Sequence, residues 1–230
     1  ESDTYPGLAS KDGHYTKAEF IDLQQFAESY GIEIIPEIDS PAHVLAFTHY
    51  RPGLGSKAFG MDHFDLDNPE IYTFMDDLFK EYLSGKNPVF RGRYVNIGTD
   101  EYNNSTEELR EKFRAYTNHY VELINKYGKT PVLWGALSHA YGKTPVNPKG
   151  AILGMWSPYM AKTKDMKADG WNMISMPDWT VYIVPLADYY HDILPNDNIY
   201  KNWTPAHFGD TTLKEQDPQI TGGMFALWND

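Results

Sequence analysis

The chain has no cysteine. That excludes a disulfide scaffold and any thiolate metal site. Positive charge is scarce as well: 20 Lys and Arg stand against 32 Asp and Glu, a formal net charge of -12, and the basic residues form no cluster. Nucleic-acid binding needs a positive face, so that class of partner is disfavoured. No run reaches the roughly 18 consecutive apolar residues of a membrane-spanning helix. A Gly-x-Ser-x-Gly nucleophile elbow is missing, and so is a phosphate-cradling glycine loop. The opening Glu1-Ser-Asp-Thr4 is no signal peptide, which is equally compatible with one already removed.

What the chain does have is aromatic surface: 17 Tyr, 11 Phe and 6 Trp, 15% of 230 residues. Flat rings fill cores, and they also offer apolar faces to sugars and bases. The length suits one large domain or two small ones, with a sizeable core. Thr16 and Glu19 have capping-box spacing ahead of Phe20, Leu23, Phe26, Ala27 and Tyr30, which predicts a helix closed by Gly31. Ile32–Asp39 reads as a strand with a polar tail. Asn68-Pro69 opens a second helix bearing Ile71, Met75, Leu78 and Tyr82 on one face. Tyr94–Gly98 is the next strand. Ser105 and Glu108 then form a capping box for a long helix whose apolar face carries Leu109, Phe113, Tyr116, Tyr120, Leu123 and Tyr127.

Short apolar runs follow at Pro131–Trp134, Ala151–Trp156, Asn172–Met176 and Gly223–Trp228, with a short helix expected over 159–168 and a polar, loop-like stretch over 185–219. Alternating strands and helices imply a parallel sheet covered on both faces, of about six strands. A doubly wound sheet and a (β/α)8 barrel both fit that order. The polar and aromatic residues decide between them. Glu37 and Asp39, Asp100 and Glu101, Trp134, Trp156, and Trp228 with Asp230 all stand at C-terminal strand ends. Groups converging from many strand ends mark a barrel's catalytic face, whereas an open sheet concentrates them at one switch point. A TIM-type barrel is expected, two strands short of eight.

The adjacent acids Asp100-Glu101 are the sharpest feature. Inside a strand, neighbouring side chains point to opposite faces; at a strand end that rule relaxes, and two acids can take different jobs at one site. Taken alone, such a pair is more often a solvated loop start. Acids with aromatic walls suit glycoside hydrolysis, in which a carboxylic acid protonates the leaving oxygen while rings hold the sugar. A metal-dependent hydrolase is the chemical competitor, with Asp39, His43, Asp100 and Glu101 as ligands. Against it, neither His-x-His nor His-Glu-x-x-His spacing occurs. His43 alone is more often a hydrogen-bonded structural histidine, and a single tryptophan is more often core than sugar platform. Three tryptophans ending strands are harder to dismiss.

Ile35-Pro-Glu-Ile-Asp-Ser-Pro-Ala-His43 closely resembles a signature of glycoside hydrolase family 20, the β-N-acetylhexosaminidases, and Ile97-Gly-Thr-Asp-Glu101 resembles that family's catalytic motif. The resemblance continues in order through Leu133-Trp134, Met155-Trp156, Tyr182 and Leu227-Trp-Asn-Asp230. It implies a retaining mechanism in which the substrate's own 2-acetamido oxygen attacks the anomeric carbon. Glu101 would be general acid and then base. Asp100 would orient the acetamido group, Tyr182 would donate to its oxygen, and Trp134, Trp156 and Trp228 would wall in its methyl group and the ring. Asp230 would bind sugar hydroxyls, while His43 would assist Glu101 from behind and Asp39 would be supporting or structural. No cofactor and no metal are implied; the partner is a glycan ending in N-acetylhexosamine.

The chain also departs from the family pattern. Ala42 replaces a glycine, Asn96 a histidine and Asp230 a glutamate, and Tyr182-Ile-Val184 lacks the carboxylate of a tyrosine–leucine–aspartate run. The first two barrel strands are expected to lie outside residues 1–230, supplied by the rest of a full-length protein, and the chain to end at the last strand. That motivates a rival reading, a non-catalytic carbohydrate-binding or inactive fragment. The acidic charge and absent cysteine fit a secreted or cell-surface location. Three glycosylation-type triplets begin at Asn103, Asn104 and Asn202; the first two abut the candidate acid and are read as chance.

Overall fold

The computed structural model describes residues 1–229, so Asp230 lies outside the described residues. The chain forms two compact units, one of residues 1–98 and 115–131, the other of 99–114 and 132–230. Among the described residues, no helix is long and apolar enough to cross a membrane.

In the first unit, α1 (Lys17–Ser29) has the expected capping box: Glu19 N–H donates to Thr16 Oγ1 and Thr16 N–H to Glu19 Oε2. Its apolar stripe, however, is largely exposed, with Phe26 63% and Tyr30 69% accessible. Gln24 is buried instead, because its amide donates to Val89 O and accepts from Arg91 N–H, turning that polar face inward. Strand β1 (Glu37–Ser40) begins later than expected, since Pro36 has no N–H for a ladder, though its carbonyl accepts from Asn96. After β1 come α2 (Leu45–Tyr50), a small antiparallel pair β2 (Gly55–Ser56) and β3 (Gly60–Phe64), then α3 (Glu70–Leu83). Asn68 Oδ1 accepts from Glu70 N–H at the start of α3. That helix sinks Ile71, Phe74, Met75, Leu78, Phe79 and Leu83, each worth about 1.5–3 kcal/mol against exposure. β4 (Tyr94–Gly98) runs parallel to β1.

Helix α4 (Glu107–Lys126) belongs partly to each unit. Its cap is not Ser105, as the spacing suggests, but Thr106, whose Oγ1 accepts from Leu109 N–H. Ser105 is diverted: its hydroxyl and N–H both donate to Asn103 Oδ1, an Asx turn competing with the cap.

In the second unit, β5 (Thr130–Trp134), β6 (Ile152–Met155), β7 (Asn172–Ser175) and β9 (Ile220–Gly223) pair in parallel in that order. Between them lie α5 (Thr163–Ala168), shorter than its expected span, α6 (Asp178–Val181), β8 (Tyr182–Ile183) and α7 (Asn196–Asn202). α7 falls inside the stretch read as loop. The last expected strand, Gly223–Trp228, is split. Ile220–Gly223 joins the sheet, whereas β10 (Ala226–Leu227) leaves it to run parallel to β8. Gly222 and Gly223 sit at the break, and the Trp203 ring lies where a Gly223 side chain would be.

Glu81 on α3 anchors the chain's first residues. It accepts from Ser2 Oγ at 2.7 Å, Asp3 N–H at 2.7 Å and Thr4 N–H at 3.0 Å, and it pairs with Lys17 at 2.7 Å. Burial pushes its carboxyl up, but Lys17 and these donors outweigh it and hold the pKa at about 2, against an ordinary 4.5. A depressed folded value stabilises above the unfolded pKa and is lost as pH falls through the folded one. The stability difference between the protein and Glu81→Gln should therefore be on the order of 3 kcal/mol at neutral pH. It should shrink from pH 4.5 and vanish near 2 in urea denaturation across pH.

Candidate active site

The site begins where β4 ends. Gly98, Thr99 and Glu101 have φ of 67°, 66° and 46°. Left-handed backbone is costly for side-chain-bearing residues and most of all for β-branched ones such as Thr99. This turn abolishes strand alternation, which is how consecutive acids can serve one place. Thr99 is buried, Asp100 half-buried and Glu101 exposed.

The backbone leading to it is built in the first unit. Gly98 N–H donates to Asn96 Oδ1 at 2.9 Å, and Asn96 Nδ2 donates to Glu37 Oε2 at 3.1 Å. A Cβ on Gly98 would lie 1.6 Å from Asp39 Oδ1. Asp39 thus packs directly on a position that must be glycine, both for space and for its positive φ. His43 follows β1 with φ 58° and is exposed.

The second unit brings Trp134, Trp156, Tyr182 and Trp228 together. Trp134 and Trp228 meet edge to face at 5.8 Å between centroids, Tyr182 meets Trp228 at 6.2 Å, and Trp156 lies nearly parallel to Tyr182 at 6.4 Å. Each is placed by a strand. Trp134 ends β5, and Gly154 opposite it leaves room for its ring, 3.1 Å from where a Cβ would sit. Trp156 follows β6, its indole N–H donating to Gly135 O at 3.1 Å. Tyr182 and Trp228 are neighbours because β8 and β10 pair, with Trp228 N–H donating to Ile183 O. Burial above all raises the pKa of the Tyr182 hydroxyl; the Asp178 and Asp100 charges add to this, and a hydrogen bond from the Trp228 indole opposes it. The phenol is therefore a protonated donor at neutral pH, and the Asp100 carboxylate lies near enough to act on it.

Two residues of this wall escape the sequence reading. Asp178 is 4% exposed, and its carboxylate accepts from Trp179 N–H at 2.8 Å and from the Tyr190 hydroxyl at 2.9 Å. Tyr190 meets Tyr182 edge to face at 5.5 Å. An acid after Pro177 is an ordinary helix start in sequence. Tyr190 arrives from the stretch read as loop, through the Ile183–His191 bridge. No local pattern announces either.

The glycosyl hydrolase family 20 catalytic domain matches residues 2–230, so the chain belongs to that family. It is 27% identical to the β-hexosaminidase subunit beta of Entamoeba histolytica over all of this chain and 47% of that protein. It is 23% identical to a lacto-N-biosidase of Bifidobacterium bifidum over 94% of this chain and 21% of that protein. The chain thus spans about half or less of the length of these curated relatives. Among solved structures, the tandem catalytic modules in the pneumococcal exo-β-D-N-acetylglucosaminidase align with a TM-score of 0.81 at 22% identity, over 96% of this chain and 60% of theirs. The fold is accordingly the expected partial (β/α) barrel.

Replacing Gly98 by alanine should destabilise the protein by about 3 kcal/mol, combining left-handed strain with displacement of Asp39. Chemical denaturation measures this; an unchanged midpoint would contradict the packing described.

Proposed function

We propose that the site hydrolyses terminal β-linked N-acetylhexosamine, GlcNAc or GalNAc, from glycans, with retention and with the substrate's acetamido oxygen as nucleophile. The observation that carries this reading is the acid pair on its left-handed turn, in the same unit as a wall of three tryptophans and a buried, protonated tyrosine. The names of the β-hexosaminidase and exo-β-D-N-acetylglucosaminidase relatives point the same way.

The chemistry divides between the two acids. Glu101, exposed at the turn, protonates the departing glycosidic oxygen and afterwards takes a proton from the incoming water. Asp100, near Tyr182, accepts from the acetamido N–H and balances the positive charge that grows there as the amide oxygen attacks. Tyr182 donates to that oxygen and aims it at the anomeric carbon, a positioning effect that replaces an enzyme nucleophile. The tryptophan faces enclose the acetamido methyl and exclude water, which strengthens each of these interactions. Asp39 supports the turn through Gly98, and His43 and Asp230 complete the reading as supporting and hydroxyl-binding residues.

Glu101→Gln in the intact protein should lower turnover of an aryl N-acetyl-β-glucosaminide by a factor of about 10²–10⁴. Asp100→Asn should also cut the rate steeply, and the same glycoside without its acetamido group should not be cleaved. Near-unchanged turnover by the Glu101 variant would sink the assignment.

A further inference from the structure

Asp178 is a costly residue. A buried carboxylate is expensive without charged partners, and the groups bonded to it, the Trp179 N–H, its own backbone N–H and the Tyr190 hydroxyl, are neutral. Burial accordingly raises its pKa. These hydrogen bonds do not explain its presence as a fold element, because a neutral amide of the same shape would fill the space without a charge to desolvate. What only a carboxylate supplies is direction. Having no proton of its own to give, it obliges Tyr190 to point its O–H at Oδ2.

That commitment determines what Tyr190 offers to the other side. With its single proton engaged, the phenol oxygen presents lone pairs only, and the charge-assisted bond behind it makes those lone pairs stronger acceptors. The phenol ring is held against the wall of the site. The Tyr190 ring is half-buried, packs with the cluster that contains Trp134 and Tyr182, and lies edge-on to Tyr182 at 5.5 Å. The Glu101 carboxylate is close enough to raise its pKa further, after burial and Asp178. The Ile183–His191 bridge and the Val184 N–H bond to His191 O fix the segment that carries it.

Resting on the functional reading above, we infer that Tyr190 accepts a hydrogen bond from a ring hydroxyl of the bound N-acetylhexosamine, with Asp178 as the positioning residue that sets the direction of its proton. The acetamido group is already engaged by Asp100 and Tyr182 in that reading, so the partner is one of the remaining hydroxyls, on C3, C4 or C6. GlcNAc and GalNAc differ in configuration at C4 alone, so a partner on C4 would make the pair a determinant of sugar preference, and one on C3 or C6 a shared contact.

Asp178→Asn keeps the shape but lets its amide donate to the Tyr190 oxygen, reversing the polarity that the sugar meets. Tyr190→Phe removes the acceptor. In the intact protein, with thermal melting used to hold each variant in its folded range, either substitution should lower kcat/KM for the aryl N-acetylglucosaminide by about ten-fold. Asp178→Asn should have no further effect in the Tyr190→Phe background. Deoxygenated glycosides identify the partner: removing one hydroxyl, at C3, C4 or C6, should slow the unsubstituted protein and not the Tyr190→Phe variant. Additive losses in the double variant, or equal losses on every deoxy substrate, would overturn the inference while leaving the functional reading intact. No turnover of the parent glycoside by the unsubstituted protein would instead sink the functional reading, and the inference with it.

Discussion

Everything at this site depends on how the chain leaves β4. Three of the four residues from Gly98 to Glu101 have left-handed backbone, one of them the buried, β-branched Thr99. Such conformations cost about 1–3 kcal/mol each for residues with a Cβ. They persist because the turn is held from beneath, by Asn96 bonded to Gly98 N–H and by Asp39 packed on the Gly98 α-carbon. The return on that strain is chemical. Two neighbouring carboxylates escape the alternation of a strand, which the proposed mechanism requires if they are to divide proton transfer and charge stabilisation.

The unit that holds the two acids also carries an aromatic wall with polar groups at chosen points. Trp134 is buried, Trp156 half-buried and Trp228 exposed, and Tyr182 is held as a donor by burial and nearby negative charge. Asp178 and Tyr190 extend the same logic one layer outward, the carboxylate fixing which way a hydroxyl points. Donors and acceptors whose direction is set before the substrate arrives cost no reorganisation during the reaction.

Much of this was legible in the sequence, for physical reasons. Local signals survived: the Thr16–Glu19 capping box, the β4 strand before the acids and the tryptophans at β5 and β6 all stand where spacing put them. Legibility failed where one residue's fate depends on distant partners. The exposed apolar stripe of α1 reads as core until Gln24 finds the backbone of Val89 and Arg91. Ser105 reads as a cap until Asn103 captures it. The split between β9 and β10, and with it the seat of Trp228, follows from β8 offering an edge that no local pattern reveals. Asp178 and Tyr190 are the extreme case, because their pairing exists only once the 183–191 segment has folded back.

The central claim is that the nucleophile belongs to the substrate and not to the protein. Aryl β-glucosaminides whose N-acyl methyl group is progressively fluorinated test it most directly in the intact protein, because fluorine drains electron density from the amide oxygen while barely changing its size. The account predicts that kcat/KM falls steeply with each added fluorine. A rate indifferent to fluorination would contradict it.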